Sequence, residues 1–450
     1  MTKLRFVAAL TISTVAMSAC AANNTPGNQT STGPSSSGGG GGGGGSVTVT
    51  SLWGGAEGDA FKKVLDAFSS SSGCKANYDS QRNDYATVLR SNLQKGQIDV
   101  AILPGIGYLR TLVRDSRPIF HPKTLSDLGV SNDDLKNAYA ASVSETGLSS
   151  GTVDGTAYAV MVKLNSKSTF WYRPDKFKTL GVQPPKTIDE LIKLEQTIKS
   201  KGDVPQALGA KDSWTLTDWF ESIYLRQAGK DAYNKLFSPD GVWTDATVKT
   251  AVKTMTDILK PEYIVGGDMN AATGTAFLDA LAQVFGTTPK ADMYYEGGFA
   301  GGIVLGQINK AAKPGETIDF FDFPSAGSES GQITIGGDVM AAFTDTDCTK
   351  KFVKYMLTKD AGETWAKQGT IISPMKDVSS SVYPNDLTKK EAEQVAKATF
   401  AGFDGSDLMP AGADLGAALQ TILKDPTKAD TILDQFNKDA KQAWVDEKPA

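Results

Sequence analysis

The sequence is poor in the residues on which much enzyme chemistry is built. One histidine, His121, occurs in 450 residues. That excludes a zinc site made from two or three imidazoles and leaves a single residue to act as base in a Ser–His triad. His121 stands beside Pro122 in a proline-punctuated loop, the place of a surface or packing residue. Cysteine is scarce too, with only Cys20, Cys74 and Cys348. No apolar run reaches the ~20 residues of a membrane-spanning helix. Neither sign of charge dominates: 46 Lys and Arg against 51 Asp and Glu leave −5, without the basic stripe of a nucleic-acid binder. Cofactor signatures are missing. There is no Walker lysine element, and Gly54-Gly55-x-x-Gly58 lacks the dinucleotide spacing. Ser72-x-x-Lys75 and Ser373-x-x-Lys376 have no Lys-Thr-Gly partner and are chance matches in a chain rich in Ser and Lys. Neither a cofactor nor a metal is expected.

Glycine, by contrast, is plentiful and uneven: 46 residues, with eight consecutive at Gly38–Gly45. These belong to a leader that stands outside the fold. Lys3 and Arg5 followed by the small and apolar residues 6–19 read as an export signal. It ends in Ala16-Met17-Ser18-Ala19-Cys20, which resembles the lipobox of bacterial lipoproteins, with Met17 where Leu is usual. That resemblance implies lipidation of Cys20; the alternative is an ordinary signal with a chance cysteine. Residues 23–46 are almost wholly Asn, Gln, Thr, Ser, Pro and Gly. Such a tract buries no apolar surface and is expected to be a flexible tether, residues 20–46, or an inert linker. Removing residues 1–19 takes away Lys3 and Arg5 and moves the net charge from −5 to −7. Cys74 and Cys348 then remain. Outside the cytoplasm an even pair reads as one disulfide, against the alternative of two separate thiols.

From residue 47 onward the pattern is α/β. Val47, Val49 and Trp53 alternate along a strand. After the glycine turn, Phe61, Val64, Leu65 and Phe68 mark one face of a helix. Residues 74–80 form a short strand, Asp84 is placed to cap a helix with Tyr85, Val88, Leu89 and Leu93, and residues 98–103 form a buried strand. This βαβαβ order predicts a parallel sheet covered by helices. Farther on, Thr187-x-x-Glu190 is a capping box, and Thr217 caps a helix that Gly229 ends. Residues 333–343 are extended; 350–357, 388–398 and 415–423 are helical.

Glu57 and Asp59 at the first helix start would repel a phosphate, but offer acceptors to hydroxyl donors. The alternative is that both simply complement the helix dipole. Aromatics recur next to charged groups: Trp214 and Trp219 flank Asp218, Phe170-Trp171-Tyr172 precedes Arg173, and Tyr294-Tyr295 precedes Glu296. A sugar has an apolar CH face and a rim of hydroxyls, which stacking rings and polar side chains match.

On these residues the chain resembles the family 1 extracellular solute-binding proteins of ABC importers, the carbohydrate-binding group that includes maltose-binding protein. The resemblance rests on Ser51 to Phe61, Ile98 to Pro104, Tyr158 to Lys163, Trp171-Tyr172-Arg173 and Pro185 to Leu191. It continues through Thr217 to Glu221, Met293 to Gly297, Gly337 to Phe343, and Phe352-Val353 with Trp365. It implies a two-lobed periplasmic-binding-protein-like fold of type II, each lobe a sheet flanked by helices, hinged around a cleft. Lobe one would take 47–161 and 336–385, and lobe two 162–335 and 386–450.

Carried over by position, lobe one would present Trp53, Gly54, Glu57, Asp59, Arg82, Asp84, Pro104 and Gly105. Lys163 would follow the first hinge crossing, and Asp338 would lie on a returning hinge strand. Lobe two would add Trp214, Asp218, Tyr295, Glu296 and Phe299. Met409-Pro410 is followed by Ala411-Gly412-Ala413-Asp414, where relatives often place an aromatic that stacks on the sugar. By the same alignment Cys74 and Cys348 both fall in lobe one.

The implied function is capture of a carbohydrate, an oligosaccharide or glucoside, by hinge closure and its delivery to permease subunits. The protein would be a non-enzymatic monomer on the outer face of the cell membrane, held by its lipid alone. The alternatives are a secreted glycan hydrolase using two of these carboxylates, or the same fold binding a non-sugar solute.

Overall fold

The computed structural model describes residues 45–81, 84–327, 331–410 and 412–447. The export signal, Cys20, the tether up to residue 44 and Arg82 lie outside the described residues.

Strand β1 (Ser46–Ser51) buries Val47 and Val49 and pairs parallel with β2 (Lys75–Ser80) on one side and β3 (Val100–Leu103) on the other. This is the βαβαβ unit read from the sequence. Helix α1 (Gly55–Ser72) lies between the first two strands and buries Phe61, Val64, Leu65 and Phe68 along one face. Each such side chain contributes roughly 1.5–3 kcal/mol when fully buried. The turn into α1 is tight: a β-carbon on Gly58 would sit 2.8 Å from the Trp53 carbonyl oxygen, so only glycine allows this approach. Gly73, at φ 71°, closes the helix in the left-handed conformation.

Helix α2 (Tyr85–Gln94) begins after Asp84, as expected, but Asp84 does not cap it with its side chain. At φ 50°, Asp84 instead uses its backbone carbonyl to accept from the amides of Thr87 and Val88. Helix α3 (Ile106–Val113) follows Pro104-Gly105.

The chain then runs through β4 (Ala159–Ser166) into a second sheet, with β5 (Thr169–Tyr172) between β6 (Met293–Tyr295) and β7 (Asp319–Asp322), all antiparallel. Phe170 of β5 stacks on Phe321 of β7 at 5.0 Å. Helix α4 (Trp214–Leu236) packs beneath. It starts one turn before the expected Thr217 cap, and the Thr217 hydroxyl donates back to the Trp214 carbonyl inside the helix. Gly229, at φ 81°, breaks the helical path, but the chain resumes it to Leu236. Thr187 does accept from the Glu190 amide; the Glu190 carboxylate takes the Lys186 amide and leaves the capping box half closed.

The return is made by β8 (Gln332–Ala342), whose one edge pairs antiparallel with β4. Its other edge pairs parallel with β9 (Phe400–Phe403) and then antiparallel with β3. A register shift between Asp338 and Val339 re-aims the strand where it meets the first sheet. Helix α5 (Asp386–Lys397) precedes β9 and the short helix α6 (Gly405–Leu408) follows it.

Two lobes result. The core of the first surrounds the six-stranded sheet and includes Phe403 of β9, although the sequence reading assigns everything after 385 to lobe two. Met409, Leu419 and Phe436 rejoin the core of the second lobe, so the chain crosses again after β9. Cys74 and Cys348, 274 residues apart, are joined in a disulfide with their Cα atoms 5.7 Å apart, inside the first core. No helix among the described residues is long and apolar enough to cross a membrane.

Candidate functional site

The strand ends that carry β1 into α1 face the crossing strands. Here a cavity of about 600 Å³ opens between the lobes, within the ~300–1,000 Å³ of small-molecule sites. Lobe one contributes Gly54 and Glu57, the crossing strand Lys163 and Asn165, and lobe two Phe299. The Thr370 hydroxyl lines the same cavity and has no hydrogen-bond partner in the structure. Glu391 of α5 closes one side, its carboxylate accepting from the Ser166 amide at 2.8 Å. Gly298 lies so close to it that a β-carbon would fall 1.9 Å from a carboxylate oxygen. Burial pushes the Glu391 carboxyl up to about 8, so it is held neutral at pH 7.

Lys163 organises the polar wall. Its ammonium donates to Glu57, lies 3.5 Å from Asp338 and sits 5.0 Å from the centre of the Trp53 ring. Burial disfavours its charge, but Asp338 and Glu57 outweigh that and raise its pKa above the ordinary lysine value. Trp53 is itself buried, edge-on to Phe61 and Trp365, and serves as the floor under Lys163. Phe299 reaches the cavity from lobe two with Trp214 behind it at 6.1 Å and Phe277 at 5.9 Å.

A second cluster, which the sequence reading missed, lies four residues on. Lys167 donates to Asp218 at 3.0 Å and to Asp404, and sits 5.5 Å from the Trp214 ring. Asp218, Glu221 and Asp404 converge, each almost fully buried. Lys167 supplies the balancing positive charge, and Glu221 is taken up by the amides of Gly405 and Ser406 and by the Tyr233 hydroxyl. Burial opposes the Lys167 charge, yet Asp218 and Asp404 hold its pKa well above the ordinary value. The signal was available: Lys163 and Asn165 alternate along the crossing strand, and Lys167 continues the same spacing just past its end.

Several residues chosen from the sequence lie outside the lining of this cavity. Asp218, Tyr295 and Glu296 are buried, and their bonds are made inside the protein. The Tyr295 hydroxyl donates to the backbone carbonyls of Lys167 and Asp218, and Glu296 accepts from the Gly297 amide and the Tyr294 hydroxyl. They support the site from below. Asp59 faces solvent and pairs with Lys62 at 3.0 Å. Asp84 and Pro104 are exposed away from this cavity's lining, and Gly105 is buried near Asp407.

A cleft walled from two lobes and a crossing strand, with acceptors, one ammonium and an aromatic face, is a site built to bind. The family comparison agrees. Residues 27–363 match the family described as bacterial extracellular solute-binding protein. The chain belongs to that family. It is 31% identical over 383 residues to the alpha-glucosides-binding periplasmic protein AglE of Rhizobium meliloti, covering 83% of this chain and 81% of that one. It is 27% identical over 376 residues to the osmoprotective compounds-binding protein GgtB of Synechocystis sp., covering 82% and 86%. Among solved structures, the bacterial solute receptor AcbH superposes with a TM-score of 0.72 at 19% identity, covering 90% of this chain and all of the other. Apo RafE from Streptococcus pneumoniae gives 0.70 at 16%, covering 89% and 98%. These structures confirm the two-lobed α/β fold, and membership of an extracellular solute-binding family implies a place outside the cytoplasm.

Proposed function

We propose that this solute-binding protein is the carbohydrate receptor of an ABC importer, capturing an oligosaccharide or glucoside by hinge closure and releasing it to permease subunits. The observation that carries this reading is the two-lobed cavity, with Glu57, Lys163 and Asn165 facing Phe299. Carboxylate, ammonium and amide groups bind sugar hydroxyls, while a ring covers an apolar sugar face. A ligand that touches both walls favours the closed state, because only that state makes every contact. The relationship to AglE supports a glucoside as the cargo.

In this reading binding occurs without turnover. Cys20 carries the lipid, residues 20–46 are the tether, and the monomer meets the membrane only through that anchor. The Cys74–Cys348 bond, closing a 274-residue separation, stabilises the anchored lobe in the oxidising space outside the cytoplasm. Lobe one comprises 47–161, 336–385 and the β9 strand, and lobe two most of the rest, with the site at Trp53, Gly54, Glu57, Lys163, Trp214, Phe299 and Asp338.

The test is titration of the purified chain with maltose, sucrose and trehalose, read by thermal melting and product analysis. A saturable rise in Tm with the sugar recovered intact is expected, since a ligand at 100 times its Kd stabilises by about 2.7 kcal/mol. Cleaved sugar would indicate a hydrolase, and a response confined to non-sugar solutes would change the cargo.

A further inference from the structure

A second cavity, of about 490 Å³, shares no lining residue with the first. It lies where α4, β7, β8 and α5 meet, and its walls include Arg226, Phe323, Asp322, Gln394, Lys186 and Lys397. Arg226 is 4% exposed, and among the described residues no carboxylate forms an ion pair with it, although Asp322 is near enough to favour its charge. Its one hydrogen bond among the described residues runs from Nη1 to the Ser222 carbonyl at 2.9 Å, and its guanidinium lies over the Phe323 ring at 4.8 Å. Nε and Nη2 have no acceptor among the described residues. Gln394 stands opposite: its amide nitrogen donates to the Ser168 carbonyl and to Asp322, while its oxygen is buried and unpartnered.

A buried cation without a partner is expensive, and proteins rarely keep one. Elsewhere in this chain the rule is obeyed: Lys163, Lys167 and Arg110 each have a carboxylate. We infer that this cavity is a binding site for a small oxyanion, carboxylate or phosphate, held by Arg226 through Nε and Nη2. Lys186 and Lys397 at the rim add attraction at longer range, and the Gln394 oxygen accepts from a hydroxyl or acidic proton on the same ligand. Planar guanidinium geometry suits two parallel bonds to such a group. Burial lowers the Arg226 pKa to about 10, although Tyr295, Asp322 and Tyr233 pull the other way. The occupant would touch β8, a crossing strand, and α5, whose Glu391 borders the first cavity. The site is thus placed to bias the hinge.

The full chain is titrated with inorganic phosphate and, separately, with citrate, at ionic strength matched by sodium chloride. Tm and calorimetric heats are followed. At least one oxyanion is expected to bind saturably, and the better of the two tells phosphate from carboxylate chemistry. Arg226→Gln is expected to weaken that binding at least tenfold. The Lys186→Gln, Lys397→Gln double variant, at exposed positions, is expected to weaken it about threefold to tenfold. The proposal is overturned if neither anion exceeds the chloride control, or if folded Arg226→Gln binds as tightly as the parent. If Arg226→Gln does not fold, the surface double variant decides: unchanged affinity there overturns the assignment.

Discussion

Lys163 and Lys167 stand four residues apart along one crossing segment, and each ammonium joins two carboxylates. What differs is the water around the acids. The partners of Lys163, Glu57 and Asp338, are 36% and 17% exposed; those of Lys167, Asp218 and Asp404, are each 2% exposed. In the first cluster a ligand hydroxyl can take over a hydrogen bond while solvent still screens the charges. The second is sealed, so its charges must balance one another. The same chemistry therefore serves recognition at the cavity and structure four residues farther along the chain.

The largest expected effect follows from removing the sealed ammonium. Lys167→Met leaves Asp218 and Asp404 buried without a cation, beside Glu221, and Asp218 Oδ2 already lacks a partner. Breaking a buried pair in this way costs about 3–5 kcal/mol. Urea denaturation is expected to show that loss. A loss below about 1 kcal/mol would mean the two clusters do not differ as described.

Much of the framework was readable in the sequence because it rests on local periodicity. Phe61, Val64, Leu65 and Phe68 announce α1, and the alternation from Val47 announces β1. The cavity wall at Gly54 and Glu57 follows from that strand–turn–helix. What failed was the depth of a side chain. Tyr295 and Glu296 sit in the same aromatic and acidic pattern as a sugar platform, but β6 is the edge of an antiparallel sheet packed under α4, and that packing buries them. Asp218 was hidden for the same reason: it needs Lys167 and Asp404, which are 51 and 186 positions away, and no local pattern reports such a meeting.

Glu391 supplies a third case: a buried acid with no lysine among the described residues in ion-pair contact with it. Its pKa rises from 4.5 to about 8. Since the folded state holds this proton more tightly than the unfolded chain, its contribution to stability is fully present below pH 4.5. That contribution is lost progressively as the pH rises towards 8. The slope is at most about 1.4 kcal/mol per pH unit. Glu391→Gln, uncharged throughout, is expected to flatten the fall of Tm between pH 5 and pH 8 relative to the parent. Parallel curves would show that the proton is not held there.

At the open cluster the effect moves from stability to binding. Lys163→Met leaves Glu57, which lines the cavity, and Asp338, 17% exposed, still reached by water, so the fold should lose only about 1 kcal/mol. Sugar affinity should fall about tenfold, or about 1.4 kcal/mol. Calorimetric titration and urea melts on the one variant give both numbers. A stability loss of about 3 kcal/mol or more, the size expected at Lys167, would place Lys163 with Lys167 as a structural ion.

The smallest effect is expected at Asp59, and it limits what the glycine turn contributes. Asp59 is 69% exposed and its partner Lys62 is 56% exposed, three residues along α1. Such a pair gains little Coulomb energy in water and spends side-chain freedom to form. Asp59 also lies past the first turn of α1, where the helix dipole adds little. Asp59→Asn should therefore shift stability by less than about 1 kcal/mol and leave sugar affinity within twofold. Glu57, two residues earlier, faces the cavity and joins Lys163, so Glu57→Gln should weaken binding several-fold with a similar stability change. If the two substitutions affect binding alike, the acidic character of the whole helix start matters, and not the contact that Glu57 alone makes.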